Sequence, residues 1–254
     1  MLLSNRVAII TGGARGIGRA MALRFADEGC KIVIADLRGQ EAAETLRQIS
    51  ERKSEGIFAR CDVTKYEQIR EMVERTIAAF QKIDILVNNA AISPPERPFV
   101  DMTEEEWDRT MDVNLKGVFL CCKAVVPHMQ QQKYGKIINV GSLGALSPSP
   151  VIADYCAAKS GVVMLSQCLA TNVAKDNICV NSLLPGITRT DLHDAVRPVG
   201  LTKEEYFSEL DRIVPLGRVA APEDIADVAL FLASDLSRYV TGDRILVSGG
   251  LLNK

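Results

Sequence analysis

Short, continuously apolar runs alternate with segments of helical period along almost the whole chain, and no other feature restricts its fold as much. The runs fall at 6–11, 31–36, 56–62, 83–88, 135–141, 178–184 and 244–247. Several are apolar at every position rather than at every second one, the pattern of strands covered on both faces. Helical patterns lie between them, at about 16–28, 40–52, 65–80, 103–130, 154–175 and 222–234. Strand–helix alternation calls for right-handed crossovers, and so for an α/β protein built on a doubly wound parallel sheet. No low-complexity linker, internal repeat or shift of composition divides the chain, which predicts one domain over 1–254.

Of the 254 residues, 47% are hydrophobic and 24% charged, enough apolar material for one substantial core. A net charge of −2 with scattered basic residues gives no footprint for nucleic acid. No apolar stretch approaches the length of a membrane span. The strand-like run begins by Arg6, too early for a signal peptide. The seven cysteines are odd in number and lack the two-residue spacing of a zinc or thioredoxin-type site. Neither His128 nor His193 has a second metal ligand nearby in sequence. The expectation is a cytoplasmic protein without metal, nucleic-acid or membrane partners.

Between Tyr155 and Ala174 the strongly polar side chains are Lys159, Gln167 and Asn172 alone, and Gly117–Cys122 is similarly apolar. A helix with so little polar surface is buried on more than one side. The small residues Ala157, Ala158, Ser160 and Gly161 suit a close-packed neighbouring helix. The helices at 103–130 and 154–175 are therefore expected to form an interface between identical subunits, with internal burial under a loop as the alternative.

The first strand runs into Thr11-Gly12-Gly13-Ala14-Arg15-Gly16-Ile17-Gly18 and then a helix. Glycines at such a turn let the backbone approach a pyrophosphate, and the helix N-terminus offers free N–H groups to it. The second strand ends at Asp36, whose carboxylate can accept both adenosine ribose hydroxyls and would repel a 2′-phosphate. Asp36 therefore favours NAD over NADP; Leu37 offers a 2′-phosphate nothing, while Arg15 and Arg38 could pair with one.

Tyr155-Cys156-Ala157-Ala158-Lys159 places a phenol and an ammonium on one helical face. An ordinary tyrosine, with a pKa near ~10, is a poor base at neutral pH, and a nearby ammonium favours the phenolate. Ser142, just past the fifth strand, can orient a substrate oxygen and stabilise developing negative charge. Each feature has a plain structural reading on its own: a chance spacing, a turn serine, a solvated strand-end acid.

Taken in order, these motifs resemble the short-chain dehydrogenase/reductase family over essentially the full length: Thr11 through Gly18, Asp62-Val63, Asn88-Asn89-Ala90-Ala91, Asn114, Ser142, Tyr155 with Lys159, and Pro185-Gly186 with Thr188. The resemblance implies a single-domain Rossmann-type fold, a doubly wound parallel seven-stranded sheet with helices on both faces. It implies that Gly12, Arg15, Gly16, Ile17 and Gly18 cradle the cofactor, with Asp36 and Leu37 at the ribose. Asp62 and Val63 would flank the adenine, and Asn89, Ala90 and Ala91 would line the cofactor beyond the fourth strand. Asn114 would hold a water linking Lys159 to solvent. Lys159 would also bind the nicotinamide ribose, and Pro185, Gly186, Ile187 and Thr188 the nicotinamide end. Tyr155 would take the alcohol proton as hydride leaves the adjacent carbon for the nicotinamide, with Ser142, Leu143 and Tyr155 against the substrate. Members are usually tetramers built partly through the two long helices. Relatives that reduce C=C bonds have wider Tyr–Lys spacing, and non-catalytic relatives tend to lose the tyrosine or lysine.

Ala91 replaces the glycine that usually ends the asparagine motif, and Ser248 replaces an aspartate near the C-terminus. Asp154 stands where small residues are commoner; it either interacts with the helix dipole or faces the pocket and recognises a substrate hydroxyl. The segment 188–215, with Asp191, His193, Arg197, Tyr206, Phe207 and a short helix at 202–213, is expected to be a substrate lid. The segments 93–98 and 143–152 would form the opposite wall. These walls mix polar and aliphatic residues, which favours a sugar, polyol or small hydroxy compound. A 3-oxoacyl thioester reduced with NADPH, or a regulatory NAD-binding protein, are the alternatives.

Overall fold

The computed structural model describes residues 1–192 and 200–252. Seven strands, β1 (Val7–Thr11), β2 (Lys31–Asp36), β3 (Gly56–Arg60), β4 (Ile85–Asn88), β5 (Gly135–Val140), β6 (Ile178–Pro185) and β7 (Arg244–Val247), form one parallel sheet. Its order is β3-β2-β1-β4-β5-β6-β7. The helices are α1 (Gly16–Asp27), α2 (Gly39–Glu51), α3 (Tyr66–Phe80), α4 (Glu104–Met111), α5 (Gly117–Gln132), α6 (Ala153–Val173), α7 (Lys203–Asp211) and α8 (Pro222–Ala233).

Successive strand side chains point to opposite faces, which is why the strands had to be apolar throughout. Ile10, Ile32 and Ile34 turn to one side and pack with Met21 and Phe25 of α1, Ile49 of α2 and Ile225 of α8. Ile9, Val33 and Leu86 turn to the other and meet Ile69 of α3, Val118 and Val125 of α5, and Val162 of α6. The chain leaves β1 toward β2 on one side and pairs with β4 on the other. This reversal opens a crevice at the carboxyl ends of β1 and β4, the place where such sheets bind ligands.

The helix expected over 103–130 runs without a gap from Glu104 to Gln132, with a π-helical turn inside it. α4 begins at a capping box on Thr103, whose hydroxyl accepts the Glu106 N–H while Glu106 returns a bond to the Thr103 N–H. After Met111 the hydrogen-bonding changes to a π-helical turn over Asp112–Lys116, which continues directly into α5. The small residues of α6 also divide differently from expectation. Ala157 and Ser160 are exposed, but Ala158 is buried and Gly161 makes room for Leu115. A Cβ at Gly161 would stand 2.8 Å from Leu115 Cδ2, so this glycine seats the π turn on α6 within the subunit. No helix among the described residues is long and apolar enough to cross a membrane.

Candidate active site

The glycine turn closes on the end of β4. Gly12 and Gly16 adopt φ of +64° and +55°, where a side chain is strained. A Cβ on Gly18 would lie 2.2 Å from the Gly12 carbonyl oxygen, so only glycine lets α1 approach the turn this closely. The Thr11 hydroxyl accepts the N–H groups of Asn89 and Ala90 at 3.0 and 3.1 Å, and Asn89 Nδ2 donates to the carbonyls of Thr11 and Gly12. Ala91 is not among the positive-φ residues, so its methyl group carries no backbone strain.

A cleft of about 1250 Å³ runs along this end of the sheet. Gly12, Arg15, Gly16, Ile17, Asp36, Leu37, Asp62, Val63, Asn89, Ala90 and Ala91 line it, as expected, together with Arg38 and Asp191, and with Thr64, Thr190 and Leu192, which the sequence did not single out. Asp36 is fixed: Oδ2 accepts the Ala14 N–H and Oδ1 the Arg38 N–H, both at 3.1 Å. Beside it Leu37 is 53% exposed, and Arg38 lies 3.6 Å from Glu41. Asp62 Oδ1 accepts both the N–H and the hydroxyl of Thr64, and Val63 packs against the bare face of Gly117. The Arg15 N-cap makes no side-chain cap bond, which leaves the first N–H groups of α1 free at the cleft. The cradle therefore suits a dinucleotide: an open helix N-terminus for the pyrophosphate, with a carboxylate at the end of the next strand.

Gly18 is buried beneath the turn. Pro185, Gly186, Ile187 and Thr188 stand at the end of β6, outside the cleft lining. Gly186 lies against Ser248, where a Cβ would be 2.7 Å from the Ser248 Cα, and Thr188 bridges to Ala220. Ile187 packs with Phe207 of α7 and Val214, a small core that residues of the expected lid themselves form with Val219. His193 and Arg197 lie outside the described residues.

Ser142, Leu143, Tyr155 and Lys159 likewise stand outside the cleft lining; Ser142 caps a short 3₁₀ turn that begins at Leu143, its oxygen accepting the Gly144 N–H at 3.1 Å. Its hydroxyl also neighbours the Tyr155 phenol and favours the ionised form of that phenol. Lys159 is 2% exposed; its ammonium donates to the Val140 carbonyl at 2.8 Å and lies 5.7 Å from the centre of the Tyr155 ring. Burial pushes the Tyr155 phenol up, and the neighbouring Ser142 hydroxyl pulls it partly back. Burial also pushes the Lys159 ammonium down to about 8. Burial is thus the largest influence on the Tyr155 phenol, and Ser142 is the neighbour that opposes it.

Asn114 is fully buried on the π turn. Its Oδ1 accepts the Ile92 N–H and its Nδ2 donates to the Ile92 carbonyl, both at 2.9 Å. The side chain is thereby spent on the backbone of the cleft wall. Its main-chain carbonyl lies in the π-helical turn, where the pairing departs from the regular ladder and leaves room for a water.

Asp154 does not interact with the helix dipole alone, nor does it face the cleft. It is fully buried in the first turn of α6, and its Oδ2 accepts Arg97 Nη2 at 3.0 Å and Thr110 Oγ1 at 2.8 Å. Arg97 was missed because its partner lies 57 residues away, with no local spacing to betray the contact. Among the described residues no three His, Cys, Asp or Glu side chains are grouped to hold a metal ion.

A glycine cradle, a strand-end carboxylate and a Ser–Tyr–Lys group on one doubly wound sheet define a dinucleotide-dependent oxidoreductase. A family model described as "Enoyl-(Acyl carrier protein) reductase" matches residues 12–252. The chain belongs to the short-chain dehydrogenase/reductase family, whose oxidoreductases act on hydroxyl and carbonyl groups with a nicotinamide cofactor. It is 39% identical over 257 residues to a 3-oxoacyl-acyl-carrier-protein reductase of Thermotoga maritima, covering 99% of this chain and 100% of the relative. It is also 39% identical to 3beta-hydroxysteroid dehydrogenase 1 of Eggerthella lenta, covering 98% and 94%. Among solved structures, carveol dehydrogenase of Mycobacterium avium in complex with NAD superposes with a TM-score of 0.95 at 30% identity, covering 100% and 99%.

Proposed function

We propose that this protein is an NAD-dependent oxidoreductase that interconverts a secondary alcohol and a ketone, with Tyr155 as the general acid and base. The observation that carries the reading is the Ser142–Tyr155–Lys159 group beside a cleft whose ribose end is marked by a fixed Asp36. When bound, the nicotinamide supplies the hydride acceptor or donor. Ser142 holds the substrate oxygen and Tyr155 takes the alcohol proton, or gives it back in the reverse direction. Lys159, already halfway to neutrality near pH 8, can pass a proton onward. The main-chain carbonyl of Asn114 is the natural acceptor for the water that completes the relay.

Asp36 supports NAD over NADP, because a 2′-phosphate would be pressed against a carboxylate and an exposed leucine. Arg38 is already beside Glu41. The name of the Thermotoga maritima relative supports a second reading, reduction of a 3-oxoacyl thioester, and exposed Arg15 would then serve NADPH. The three residues between Tyr155 and Lys159, together with Ser142, support carbonyl rather than C=C chemistry. The mixed polar and aliphatic walls favour a sugar, polyol or small hydroxy compound. We further place 188–215 as a substrate lid over a single domain, the protein as cytoplasmic, and its working form as a homotetramer through α5 and α6.

The test follows nicotinamide absorbance with purified protein over a panel of secondary alcohols and their ketones, with NAD and NADP. Turnover with NAD is expected, and Tyr155→Phe should lose at least about a thousandfold in kcat while cofactor affinity changes little. A preference for NADP would overturn the assignment of Asp36, and a fully active Tyr155→Phe would overturn the mechanism.

A further inference from the structure

One buried ion pair takes no part in the chemistry described above, yet it ties together the 92–98 and 143–152 segments, α4 and α6. Arg97 belongs to the segment 92–98 that lines the cleft with Ser93 and Pro95, and its side chain is only 10% exposed. Its N–H donates to the Val151 carbonyl at 3.0 Å and its Nη1 to the Pro95 carbonyl at 2.7 Å. Its Nη2 reaches Asp154 and its Nε lies 3.0 Å from Glu106 Oε2. Thr110 of α4 donates to the same Asp154 oxygen. A single arginine thus joins the 92–98 wall, α4, the 143–152 loop and the first turn of α6, one residue before Tyr155.

This arrangement is a poor device for stability alone. Both donors converge on Asp154 Oδ2, while Oδ1 is shut from solvent with no partner, and Arg97 Nε meets Glu106 off the hydrogen-bonding direction. An apolar pair of similar volume fills such a space at equal or lower cost. Nor is Arg97 a receptor for a substrate carboxylate: one positive charge already faces two carboxylates, Asp154 and Glu106. What the charges add is direction. A planar guanidinium held at several points fixes where the wall stands relative to Tyr155.

Building on the alcohol–ketone reading, we propose that Arg97 and Asp154 are a positioning pair that sets the width of the substrate pocket, and with it the size of alcohol accepted. The pair holds the 92–98 wall at a fixed distance from the Ser142 and Tyr155 hydroxyls. Asn114 anchors the same wall from below through Ile92. The width of the site therefore depends on long-range contacts rather than on the residues that meet the substrate.

The experiment compares wild type, Asp154→Asn, Arg97→Met and the double variant Arg97→Met/Asp154→Leu on 2-butanol, cyclohexanol, 1-phenylethanol and 1-(2-naphthyl)ethanol with NAD. Arg97→Met should raise KM for the smallest accepted alcohol about tenfold and shift the kcat/KM ranking toward bulkier ones by a similar factor. NAD affinity should stay within about twofold. The apolar double variant should regain the wild-type melting temperature but keep the altered ranking. Asp154→Asn, whose amide oxygen still accepts from Thr110 and Arg97, should keep the wild-type ranking. Independently of activity, amide hydrogen exchange across 92–98 should quicken about tenfold in Arg97→Met and in the double variant. An unchanged size ranking with a uniform fall in kcat, or unchanged exchange, would overturn the proposal. If wild type turns over none of the four alcohols, the failure lies with the alcohol–ketone reading on this panel, and hydrogen exchange decides the role of the pair.

Discussion

Lys159 shows how a catalytic group is held against its own preference. Its ammonium is buried with the Val140 carbonyl as acceptor, and burial lowers its pKa to about 8. An unfolded lysine keeps its proton to about pH 10. Between those limits the unfolded chain binds more protons than the native one, so stability rises with pH. Below about pH 8 the full cost of the buried ammonium is present, on the order of 3 kcal/mol. Urea titrations from pH 7 to 10 should therefore show wild type gaining stability through this window, while Lys159→Met loses that component of the slope and is inactive. Asp36 carries a different prediction. Replacing it with Ala should move the ratio of kcat/KM for NADP over NAD upward by about tenfold or more, since a carboxylate no longer opposes the 2′-phosphate. An unchanged ratio, read in parallel assays, would shift attention to Arg15.

At the scale of elements, the joins between helices and strands are where substitutions should tell most. Thr103→Ala removes the hydroxyl half of the α4 capping box and should cost about 1 kcal/mol in denaturant unfolding, with little effect on cofactor affinity. Gly18→Ala puts a methyl carbon where 2.2 Å separates it from the Gly12 carbonyl oxygen, with backbone on the far side that cannot swing away. It should destabilise by about 1–3 kcal/mol through overpacking. It should also weaken NAD binding, measurable by calorimetry, because the turn itself must shift. Asn114→Ala strips two hydrogen bonds from Ile92 and should cost about 2 kcal/mol, with faster exchange of the Ile92 amide.

For the whole molecule the outer faces of α5 and α6 matter most. Phe119 is 45% exposed and Met164 60%, on helices whose other faces are in the core. Along α6, Ala157, Ser160, Met164 and Cys168 are exposed at helical spacing, which makes a flat row of small and apolar side chains. If these faces meet in the proposed homotetramer, Phe119→Glu with Met164→Glu should yield smaller species in sedimentation while each subunit keeps its circular dichroism. A sedimentation coefficient equal to wild type would remove these helices from the interface.

The alternation of apolar runs with helical segments, read without any structure, was enough for the parallel sheet; β2 and β7 fall where the pattern put them, and the other strands within two residues. That legibility has a simple cause. A strand buried on both faces must be apolar at consecutive positions, and the glycine turn, Asp36, Ser142, Tyr155 and Lys159 owe their places to local spacing along single strands and helices. Other features depended on contacts that no local pattern encodes. The π-helical turn of the long helix at Asp112–Lys116 answers to Leu115 against Gly161 and to Asn114 beneath Ile92. The direction of the Tyr155 shift was decided by burial, which the sequence does not express. Asp154 could be read only as a dipole acid or a substrate contact, because the arginine that claims it lies 57 residues away. Local sequence thus determined the elements and the reacting groups, whereas packing across the sheet decided how the walls around them are held.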